Sequence, residues 1–250
     1  MKTAAREQKI ISLLESRGEL EIAELSAILN ISASTLRKQL ADMQSRKLII
    51  RTYGGVMSIN PVPDESFDSK LQKNVSAKRK IALKARSLIT EGSSVSLGSG
   101  TTIYALSNLM DDLSGSAVFT NSMQVAEYLS RFAALDVHIS GGIIRSSTGT
   151  IIGSESYNFF ERQEADYAFI SCDAIDEKGI VYSDNLAVAT VERAVLKNAR
   201  HRYVLCDATK LGKKSVAEIW DLRSCDGLIT DSVSGNAADK LQYNVNVILA

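Results

Sequence analysis

Apolar residues recur at helical spacing three times in the first 45 residues of the chain. The stretches Ile10–Leu14, Ile22–Leu29 and Leu36–Met43 each place apolar side chains three or four positions apart, which is the spacing of one helix face. The first stretch ends near Gly18. The second ends at Asn30, a residue that tolerates a left-handed backbone at a helix end. The pattern predicts three short helices joined by tight turns.

The third of these helices carries a polar and basic face. Ser32 or Ser34 is placed to cap it, because a serine hydroxyl can accept a hydrogen bond from a free N–H at a helix start. Since the apolar positions face inward, the polar side chains of the first two turns are left outside: Ser34, Thr35, Arg37, Lys38 and Gln39. A short helix, a tight turn and a helix with such a face predict a helix-turn-helix, whose second helix enters the major groove of DNA.

The side chains of this helix suit DNA chemically. Arg37 can form two hydrogen bonds with guanine, Gln39 can read adenine, and Lys38 suits a phosphate. The run Leu48–Ser58 predicts two short strands around a turn, a wing in which Arg51 is placed to reach the DNA backbone or minor groove. A helical protein-docking domain is the alternative. The basic third helix followed by a wing favours DNA over it.

Charge is unevenly distributed, although Lys and Arg balance Asp and Glu over the whole chain at 29 each. Residues 1–57 carry nine basic and six acidic side chains, a surplus of three positive charges, whereas the remainder carries 20 basic and 23 acidic ones. A basic surplus on a small N-terminal module is the charge distribution expected for nucleic-acid binding.

The rest of the chain alternates between strand and helix patterns. Both prolines, Pro61 and Pro63, lie in a stretch that predicts a semi-rigid linker over residues 59–77, between a DNA-binding domain at 1–58 and a second domain at 78–250. Apolar runs predict strands at 93–97, 117–120, 136–139, 167–170, 203–206, 227–230 and 245–249, with helical patterns between most of them. The first helical pattern starts at Lys78. This alternation predicts an α/β fold with a mostly parallel sheet.

Glycine and polar residues collect where these strands end, and ligands of such sheets bind beyond the carboxyl ends of the strands. In the loop 98–102, glycines allow a ligand to approach the backbone, and N–H groups and hydroxyls at a helix start can face an anion. Ordinary turn chemistry explains any one such loop, but five of them favour a site for a phosphate and sugar hydroxyls. The candidate effector-binding residues are Gly98, Ser99, Gly100, Thr101, Thr102, Asn121, Gly141, Gly142, Asp173 and Lys210.

The remaining chemistry favours neither metals nor membranes. The three cysteines and two histidines lack the spacing of a metal site or a disulfide framework, so we expect neither, and no cofactor. No apolar run approaches the roughly 18 residues that cross a bilayer. The chain begins with a polar helix and not with the apolar core of a signal peptide, so we expect a cytoplasmic protein.

Two sets of residues resemble a known family. The run Ser32–Leu40, followed by Leu48–Arg51 and Gly54-Gly55, resembles the winged helix-turn-helix of the DeoR family of bacterial transcription regulators. Four further motifs are similar to the effector domain of that family: Thr120-Asn121-Ser122, Gly141-Gly142, Phe169–Asp173 and Asp207-x-x-Lys210. The resemblance covers nearly the whole chain. It implies a fold akin to ribose-5-phosphate isomerase and a phosphorylated sugar or sugar metabolite as effector.

The chain departs from the family pattern in two places. Lys38 and Gln39 stand where the family usually has Arg and Asp, which bears on operator preference and not on the DNA role. Gly98 stands where the family usually has Asp before Ser-Gly-Thr-Thr, so a carboxylate that could hold a sugar hydroxyl is missing from that position.

The resulting prediction is a homo-oligomeric, two-domain transcription regulator, a repressor of carbohydrate-metabolism genes under the control of a sugar phosphate, and not an enzyme. An isomerase-like enzyme is one alternative, with Asp173 and Lys210 as base and electrophile. The fused DNA module, and the lack of a glycine-rich loop closely followed by Glu, favour sensing over turnover. A regulator whose C-terminal domain only oligomerises is the other alternative, which the Gly98 departure leaves open.

Overall fold

A computed structural model of the protein describes residues 3–17, 19–46, 48–51, 55–58, 65–233 and 245–250. The chain forms two compact units: the first comprises the residues before Glu65 together with Asn185–Ala187, and the second comprises Glu65–Asp184 and Val188–Ala250. Within the described ranges, no helix is long and apolar enough to cross a membrane.

The first unit, in its described part, contains three helices and a small antiparallel sheet. The helices are α1 (Thr3–Arg17), α2 (Ile22–Leu29) and α3 (Ala33–Ser45), and the strands are β1 (Glu19–Glu21), β2 (Ile49–Arg51) and β3 (Gly55–Ser58). Strand β3 pairs with both others. The helices and the strands of the wing agree with the prediction, whereas β1 contains one apolar residue and so shows no alternating pattern. The turn of the wing, at residues 52–54, lies outside the described residues.

Apolar side chains from the helices and the sheet close the core of this unit. Leu14, Leu25, Leu40 and Val56 have no exposed surface. Burying one leucine side chain contributes roughly 2 kcal/mol, so such a core stabilises helices that are too short to form alone in water. Asn30 ends α2 with a φ of 52°, the left-handed conformation that its position in the sequence predicts.

The second unit is built of alternating strands and helices. Its helices are α4 (Phe67–Gln72), α5 (Val75–Arg86), α6 (Thr101–Ser107), α7 (Met123–Leu129), α8 (Ser154–Glu161) and α9 (Leu186–Lys197). Its strands are β4 (Ser94–Leu97), β5 (Ser116–Thr120), β6 (Leu135–Ile139), β7 (Ile143–Arg145), β8 (Thr150–Ile152), β9 (Ala165–Ser171), β10 (Ala174–Ile175), β11 (Ile180–Ser183), β12 (Ala199–Leu205), β13 (Ala217–Asp221), β14 (Gly227–Thr230) and β15 (Val247–Leu249). Short 3₁₀ turns cover Ala208–Lys210 and Leu222–Ser224.

Seven of the described strands form one sheet in the order β15-β14-β12-β9-β4-β5-β6, and every neighbouring pair is parallel. This confirms the predicted α/β fold with a parallel sheet. The chain starts the sheet in the middle with β4, adds β5 and β6 on one side, and adds the remaining strands on the other. The order therefore reverses between β4 and β9. In open α/β sheets, ligands bind outside the carboxyl ends of the strands at such a switch point.

The core of this unit lies between the sheet and the helices that follow its strands. Val95 and Leu97 of β4 are fully buried together with Ile81 of α5 and Ile103 of α6. Strands covered on both faces read as continuous apolar runs, which is why the sequence pattern locates them.

The predicted linker contains helical structure in its described part. Helix α4 lies inside it, and α5 begins at Val75, three residues before the predicted start. Ser66 caps α4 by accepting a hydrogen bond from the N–H of Ser69 at 3.2 Å, and Phe67 is buried against Tyr104 with ring centroids 5.5 Å apart. A six-residue helix is too short to show a repeat of apolar positions. The prolines of the linker lie outside the described residues.

Two smaller antiparallel sheets are not visible in the sequence pattern. Strands β10, β11 and β13 form one of them, and β7 and β8 form a hairpin. Gly142 enters the hairpin with a φ of 132°, and a Cβ there would collide with the carbonyl oxygen of Ile152. Glycine is therefore required at this position both by its backbone conformation and by the close approach of β8.

Candidate functional site

Helix α3 presents the polar face that the sequence predicts. Ser34, Thr35, Arg37 and Lys38 are exposed. Ser32 caps the helix, since its Oγ accepts a hydrogen bond from the N–H of Thr35 at 3.3 Å. The first two turns of α3 therefore offer two hydroxyl groups and two positive charges to a partner.

Gln39 does not belong to this face. Its side chain is 9% exposed, and its Oε1 accepts a hydrogen bond from Nη1 of Arg6 on α1 at 3.3 Å. The position is three residues after Leu36 and four before Met43, on the buried side of the helix. The prediction that Gln39 lies on the outer face of α3 is wrong, because helical spacing turns this side chain toward the core.

Two other basic residues of this region differ in their surroundings. Arg46, which follows α3, pairs with Glu7 of α1 at 2.8 Å and with Asp42 at 2.7 Å. Arg51 is exposed at the end of β2. Arg46 thus ties α3 to α1, whereas Arg51 remains the candidate for a DNA contact from the wing.

In the second unit, the switch point lies between the loop after β4 and the loop after β9. Oγ of Ser171, at the end of β9, donates a hydrogen bond to the carbonyl oxygen of Ser99 at 2.8 Å. Gly100 has a φ of 105°, and a Cβ there would collide with Oγ of Ser171, so the contact between the loops requires glycine. Thr101 and Thr102 follow, both buried, at the start of α6, where backbone N–H groups have no partner inside the helix.

A buried carboxyl group from α9 lies against this loop. Oε1 of Glu192 accepts hydrogen bonds from the N–H and the Oγ of Ser99, both at 2.9 Å. Its Oε2 is buried and has no hydrogen-bond partner among the described residues. Burial raises the pKa of Glu192 to about 7, although the two hydrogen bonds from Ser99 lower it. The negative charge of Asp173 adds to the rise.

Gly98 leaves the space that this carboxyl group fills. A Cβ at residue 98 would lie 2.8 Å from Cδ and 2.9 Å from Oε1 of Glu192, and closer still to Oε2. The φ of Gly98 is outside the left-handed region, so the neighbour, and not the backbone conformation, requires glycine here. A carboxyl group from α9 therefore occupies the place where a side chain of residue 98 would lie.

Asp173 joins the loop after β9 to two other segments. Its Oδ1 accepts a hydrogen bond from Nζ of Lys70 at 3.3 Å, and its Oδ2 accepts one from the N–H of Asp184 at 3.0 Å. Burial by itself would raise the pKa of Asp173. The positive charges of Lys70 and Lys210 have the larger combined effect, so the pKa of Asp173 is lowered. Burial and the charge of Asp173 raise the pKa of Asp184. Of the two carboxyl groups, Asp173 therefore loses its proton at the lower pH.

Two further lysines approach the same edge of the sheet. Nζ of Lys210 donates a hydrogen bond to the carbonyl oxygen of Cys172 at 2.6 Å. Lys78, on α5, is 5% exposed, and its Nζ donates to the carbonyl oxygen of Lys70. Burial and the neighbouring charge of Lys210 lower the pKa of Lys78. A bound anion would relieve this repulsion, because an opposite charge stabilises a buried ammonium group.

A cavity of about 360 Å³ opens beside the loops after β12 and β14. Its lining residues are Asn74, Val75, Ser76, Ala77, Lys80, Asp207, Thr209 and Asp231. Asp207 is buried, and its Oδ1 accepts hydrogen bonds from Nδ2 of Asn74 at 3.2 Å and from the N–H of Thr209 at 3.1 Å. The cavity thus has polar walls at the edge of the sheet where the lysines lie.

Family models match both units. The model of the DeoR-like helix-turn-helix domain matches residues 6–62, and that of the DeoR C terminal sensor domain matches residues 73–232. The chain belongs to the DeoR family. This DeoR-family member is a DNA-binding transcription regulator, as the sequence predicts.

Relatives of this DeoR-family regulator span nearly the whole chain. The putative aga operon transcriptional repressor of Escherichia coli O157:H7 is 30% identical over 243 residues, which cover 96% of this chain and 90% of the relative. The glycerol-3-phosphate regulon repressor of Haemophilus influenzae is 29% identical, with 93% and 91% covered. A solved structure of ribose 5-phosphate isomerase A from Methanocaldococcus jannaschii is similar with a TM-score of 0.40, at 20% identity over 55% of each chain.

The predicted effector residues of this DeoR-family chain fall into two groups. The loop 98–102, Asp173 and Lys210 lie at the edge described above. Asn121 is fully buried, and its Nδ2 donates to the carbonyl oxygen of Ile151 at 3.2 Å, while Gly141 and Gly142 are exposed in the turn before β7. These three positions therefore contact or lead into the hairpin β7–β8.

Three charged residues at this edge are absent from the sequence-based set: Lys70, Lys78 and Glu192. A signal for two of them is present in the sequence. Lys78 precedes Ile81 by three residues, and Glu192 precedes Val195 by three, so each lies on the buried face of its helix. A charged residue on such a face requires a partner and is a candidate for a functional site. Lys70 lies in α4, a helix that is not visible in the sequence.

Proposed function

We propose that this DeoR-family protein represses carbohydrate-metabolism genes and that a phosphorylated sugar or a related metabolite releases it from DNA. The relatives support the repressor role, since two of them are named as repressors of the aga operon and of the glycerol-3-phosphate regulon. The match to a sensor domain supports control by an effector. We propose a cytoplasmic location as well, because a repressor acts on chromosomal DNA.

The observation that carries the effector proposal is the grouping of anion-binding features at the switch point. Lys78 and Lys210 bring two positive charges close enough to repel each other. The start of α6 adds backbone N–H groups and the hydroxyls of Thr101 and Thr102. Lysines provide mobile charge and N–H groups provide fixed donors, and a phosphate group uses both.

The same edge can hold the rest of a sugar phosphate. Asp173 is charged, partly exposed and held in place by Lys70, so it can accept a hydrogen bond from a sugar hydroxyl. The cavity beside Asp207 adds space for the ligand. Binding can regulate DNA affinity only if the ligand prefers one arrangement of the DNA-binding units. A coupling of about 1–3 kcal/mol would change operator affinity roughly 5- to 150-fold.

A gel-shift titration against the DNA upstream of the gene tests this proposal. A panel of sugar phosphates is compared with the same sugars without phosphate. We expect one or more phosphorylated compounds to weaken DNA binding at least about fivefold, and the unphosphorylated sugars to have no effect. If no sugar phosphate changes DNA binding, the sensor role is wrong, and a regulator whose second unit only oligomerises replaces it.

We propose a sensor and not an isomerase. An isomerase needs a carboxylate base, and Asp173 would supply it. Its pKa is lowered and its oxygens are held by Lys70 and the N–H of Asp184, whereas a base that works near neutral pH benefits from a raised pKa. The similar proteins named above are called repressors, which favours the same conclusion.

The exposed face of α3 leads to a prediction for DNA binding. Arg37→Ala is expected to cost about 1–3 kcal/mol at the operator and to relax sequence preference, because the guanidinium can pair with a base edge. Lys38→Ala should weaken binding to all sequences similarly and reduce the salt dependence, because a lysine contacts phosphate. Fluorescence anisotropy with operator and scrambled DNA at several salt concentrations measures both effects.

Lys178→Ala is the control for this series, since Lys178 is an exposed lysine in the second unit. It should leave operator affinity unchanged. Operator affinities at the wild-type level in both α3 variants would show that α3 is not the reading helix.

We also propose that the second unit forms the contacts of a homo-oligomer. A single winged module makes few DNA contacts, and a dimer gains affinity by joining two half-sites. Ile139, Ile143 and Ile144 are each about half exposed near the free edge of the large sheet, on β6 and β7. Such a group of apolar side chains is typical of an interaction surface.

Sedimentation of the full chain at micromolar concentration tests this prediction. We expect a dimer or a larger assembly, and we expect Ile143→Asp combined with Ile144→Asp to dissociate it. Leu83→Asp, at an exposed leucine of α5, is the matched control and should not change the assembly. A monomeric wild type would contradict the prediction.

A further inference from the structure

Helix α9 contributes one charged side chain, Glu192, to the loop 98–102, and none of the sequence motifs includes this residue. We propose that Glu192 is a further residue of the effector site, whose carboxyl group takes up one proton from solvent when an oxyanion binds at the loop 98–102. The inference rests on the proposed effector site. It adds a residue that determines which anions the site accepts.

The geometry places this carboxyl group inside the loop and not merely near it. Oε1 of Glu192 accepts the hydrogen bonds of both Ser99 donors, so the carboxyl group already occupies the N–H and the hydroxyl of the second residue of the loop. Its Oε2 fills the volume beside Gly98 where a side chain would otherwise lie. An oxyanion that binds to the neighbouring N–H groups of Thr101 and Thr102 must therefore lie close to this carboxyl group.

The two oxygens of this carboxyl group differ in their surroundings. Oε1 has two donors, whereas Oε2 is buried without a hydrogen-bond partner in the described part of the chain. A buried carboxylate oxygen without a donor is costly, while a protonated oxygen can itself donate to an oxyanion. Protonation of Oε2 would thus turn an acceptor that repels the ligand into a donor that binds it.

The charge near Glu192 also favours the protonated form of its carboxyl group. Burial raises the pKa of Glu192 to about 7, and the negative charge of Asp173 adds to the rise. The loop 98–102 carries no titratable side chain, and Arg193, next to it on α9, is directed at the carbonyl oxygen of Glu218. A bound anion adds a second negative charge and raises the pKa of Glu192 further.

The pKa of Glu192 is therefore higher in the complex than in the free protein, and this difference determines how affinity depends on pH. Below about pH 6 the group is protonated in the free and the bound protein, and affinity is highest and independent of pH. As the pH rises through the free pKa, the free protein loses its proton before the complex does, and affinity falls. Each unit by which the anion raises the pKa corresponds to a roughly tenfold loss of affinity at high pH.

Sulfate is the probe for this experiment, because it remains a dianion across the range, whereas a phosphate ester titrates near neutral pH. Its binding to the full-length protein is measured by calorimetry at about pH 6, 7 and 8 and constant ionic strength, in two buffers with different ionisation enthalpies. We expect uptake of up to one proton per sulfate near pH 7.5 and an affinity that is about five- to tenfold lower at pH 8 than at pH 6. This measurement needs no variant.

Glu192→Gln is the test of the assignment, since glutamine keeps the shape and the acceptor for Ser99 but cannot titrate. It should remove the proton uptake and flatten the pH profile, while Glu91→Gln, at an exposed glutamate before β4, should behave like the wild type. A purely structural role for Glu192 would not change the proton uptake.

Three results would overturn the inference: sulfate binding without proton uptake, no sulfate binding even at pH 6, or proton uptake that persists in Glu192→Gln. The gel-shift titration with sugar phosphates tests the proposed function independently. Release of DNA by a sugar phosphate combined with any of these three results would therefore refute the role of Glu192 alone.

Discussion

Replacing Gly98 by alanine is expected to lower the free energy of unfolding by about 2 kcal/mol, although it adds a single methyl group. The added Cβ would lie within 2.9 Å of two atoms of the Glu192 carboxyl group and still closer to a third. That side chain cannot easily move away, because it is buried and holds two hydrogen bonds from Ser99. For a chain of this length, the loss corresponds to about 4–8 °C in the unfolding midpoint.

A double-mutant cycle identifies the cause of this loss. Glu192→Ala removes the carboxyl group that a residue-98 side chain would meet, so the combined variant Gly98→Ala with Glu192→Ala should be more stable than the sum of the single effects predicts, by about 1–3 kcal/mol. Urea unfolding followed by circular dichroism provides the four free energies. Gly141→Ala is the matched control, since a Cβ there would meet only Cβ of Glu155, at 3.9 Å. Additive effects of the two substitutions would contradict the steric account.

The same contact changes the meaning of an aspartate at position 98. In the wild-type background, Gly98→Asp would force two carboxyl groups into one buried volume, and both steric overlap and like charge would oppose it. Combined with Glu192→Ala, the same substitution moves the carboxyl group from α9 to the loop and leaves one such group at the site. We therefore expect Gly98→Asp to be tolerated only in the combined variant.

The sequence allowed the parallel sheet and its ligand-binding edge to be predicted, because both depend on local patterns. Strands such as β4 and β9 are covered on both faces and appear as continuous apolar runs, and the loops that follow them are marked by glycine and hydroxyl residues. Short elements such as β10 and α4, of two and six residues, are set by tertiary contacts. Their sequences contain too few residues for a period to be recognised.

The charged residues of the candidate site were harder to predict for a different reason. Lys78 and Glu192 occupy positions that helical spacing assigns to the core, where apolar side chains are expected. The groups that these two side chains meet come from loops that are distant in the sequence. Lys78 lies near the charge of Lys210, and Glu192 accepts a hydrogen bond from Ser99. Gln39 illustrates the converse, since its polar character suggested the DNA face while its spacing from Leu36 places it inside.

Lys78→Met is expected to abolish most of the response to the effector while leaving the free protein stable. The methionine keeps much of the apolar stem of the lysine and removes its charge. In the free protein, burial and the charge of Lys210 lower the pKa of Lys78, so folding disfavours the charged form. Removing the charge relieves this cost and offsets the lost hydrogen bond to the carbonyl oxygen of Lys70. The unfolding midpoint without ligand should therefore stay within about 3 °C of the wild type.

The effect on ligand binding should be much larger, because the variant leaves a buried phosphate without one of its cations. Loss of one partner of such a buried pair costs about 2–5 kcal/mol, or roughly 30- to 5000-fold in affinity. The sugar phosphate that releases DNA in the gel-shift titration, added at about 100 times its dissociation constant, should stabilise the wild type by about 2.7 kcal/mol. It should stabilise Lys78→Met by less than about 1 kcal/mol, whereas Lys84→Met, six residues further along the same helix, should respond like the wild type. A full thermal shift in Lys78→Met would exclude Lys78 from the phosphate site and leave Lys210 as the lysine to test, because its charge is the one that acts most strongly on Lys78.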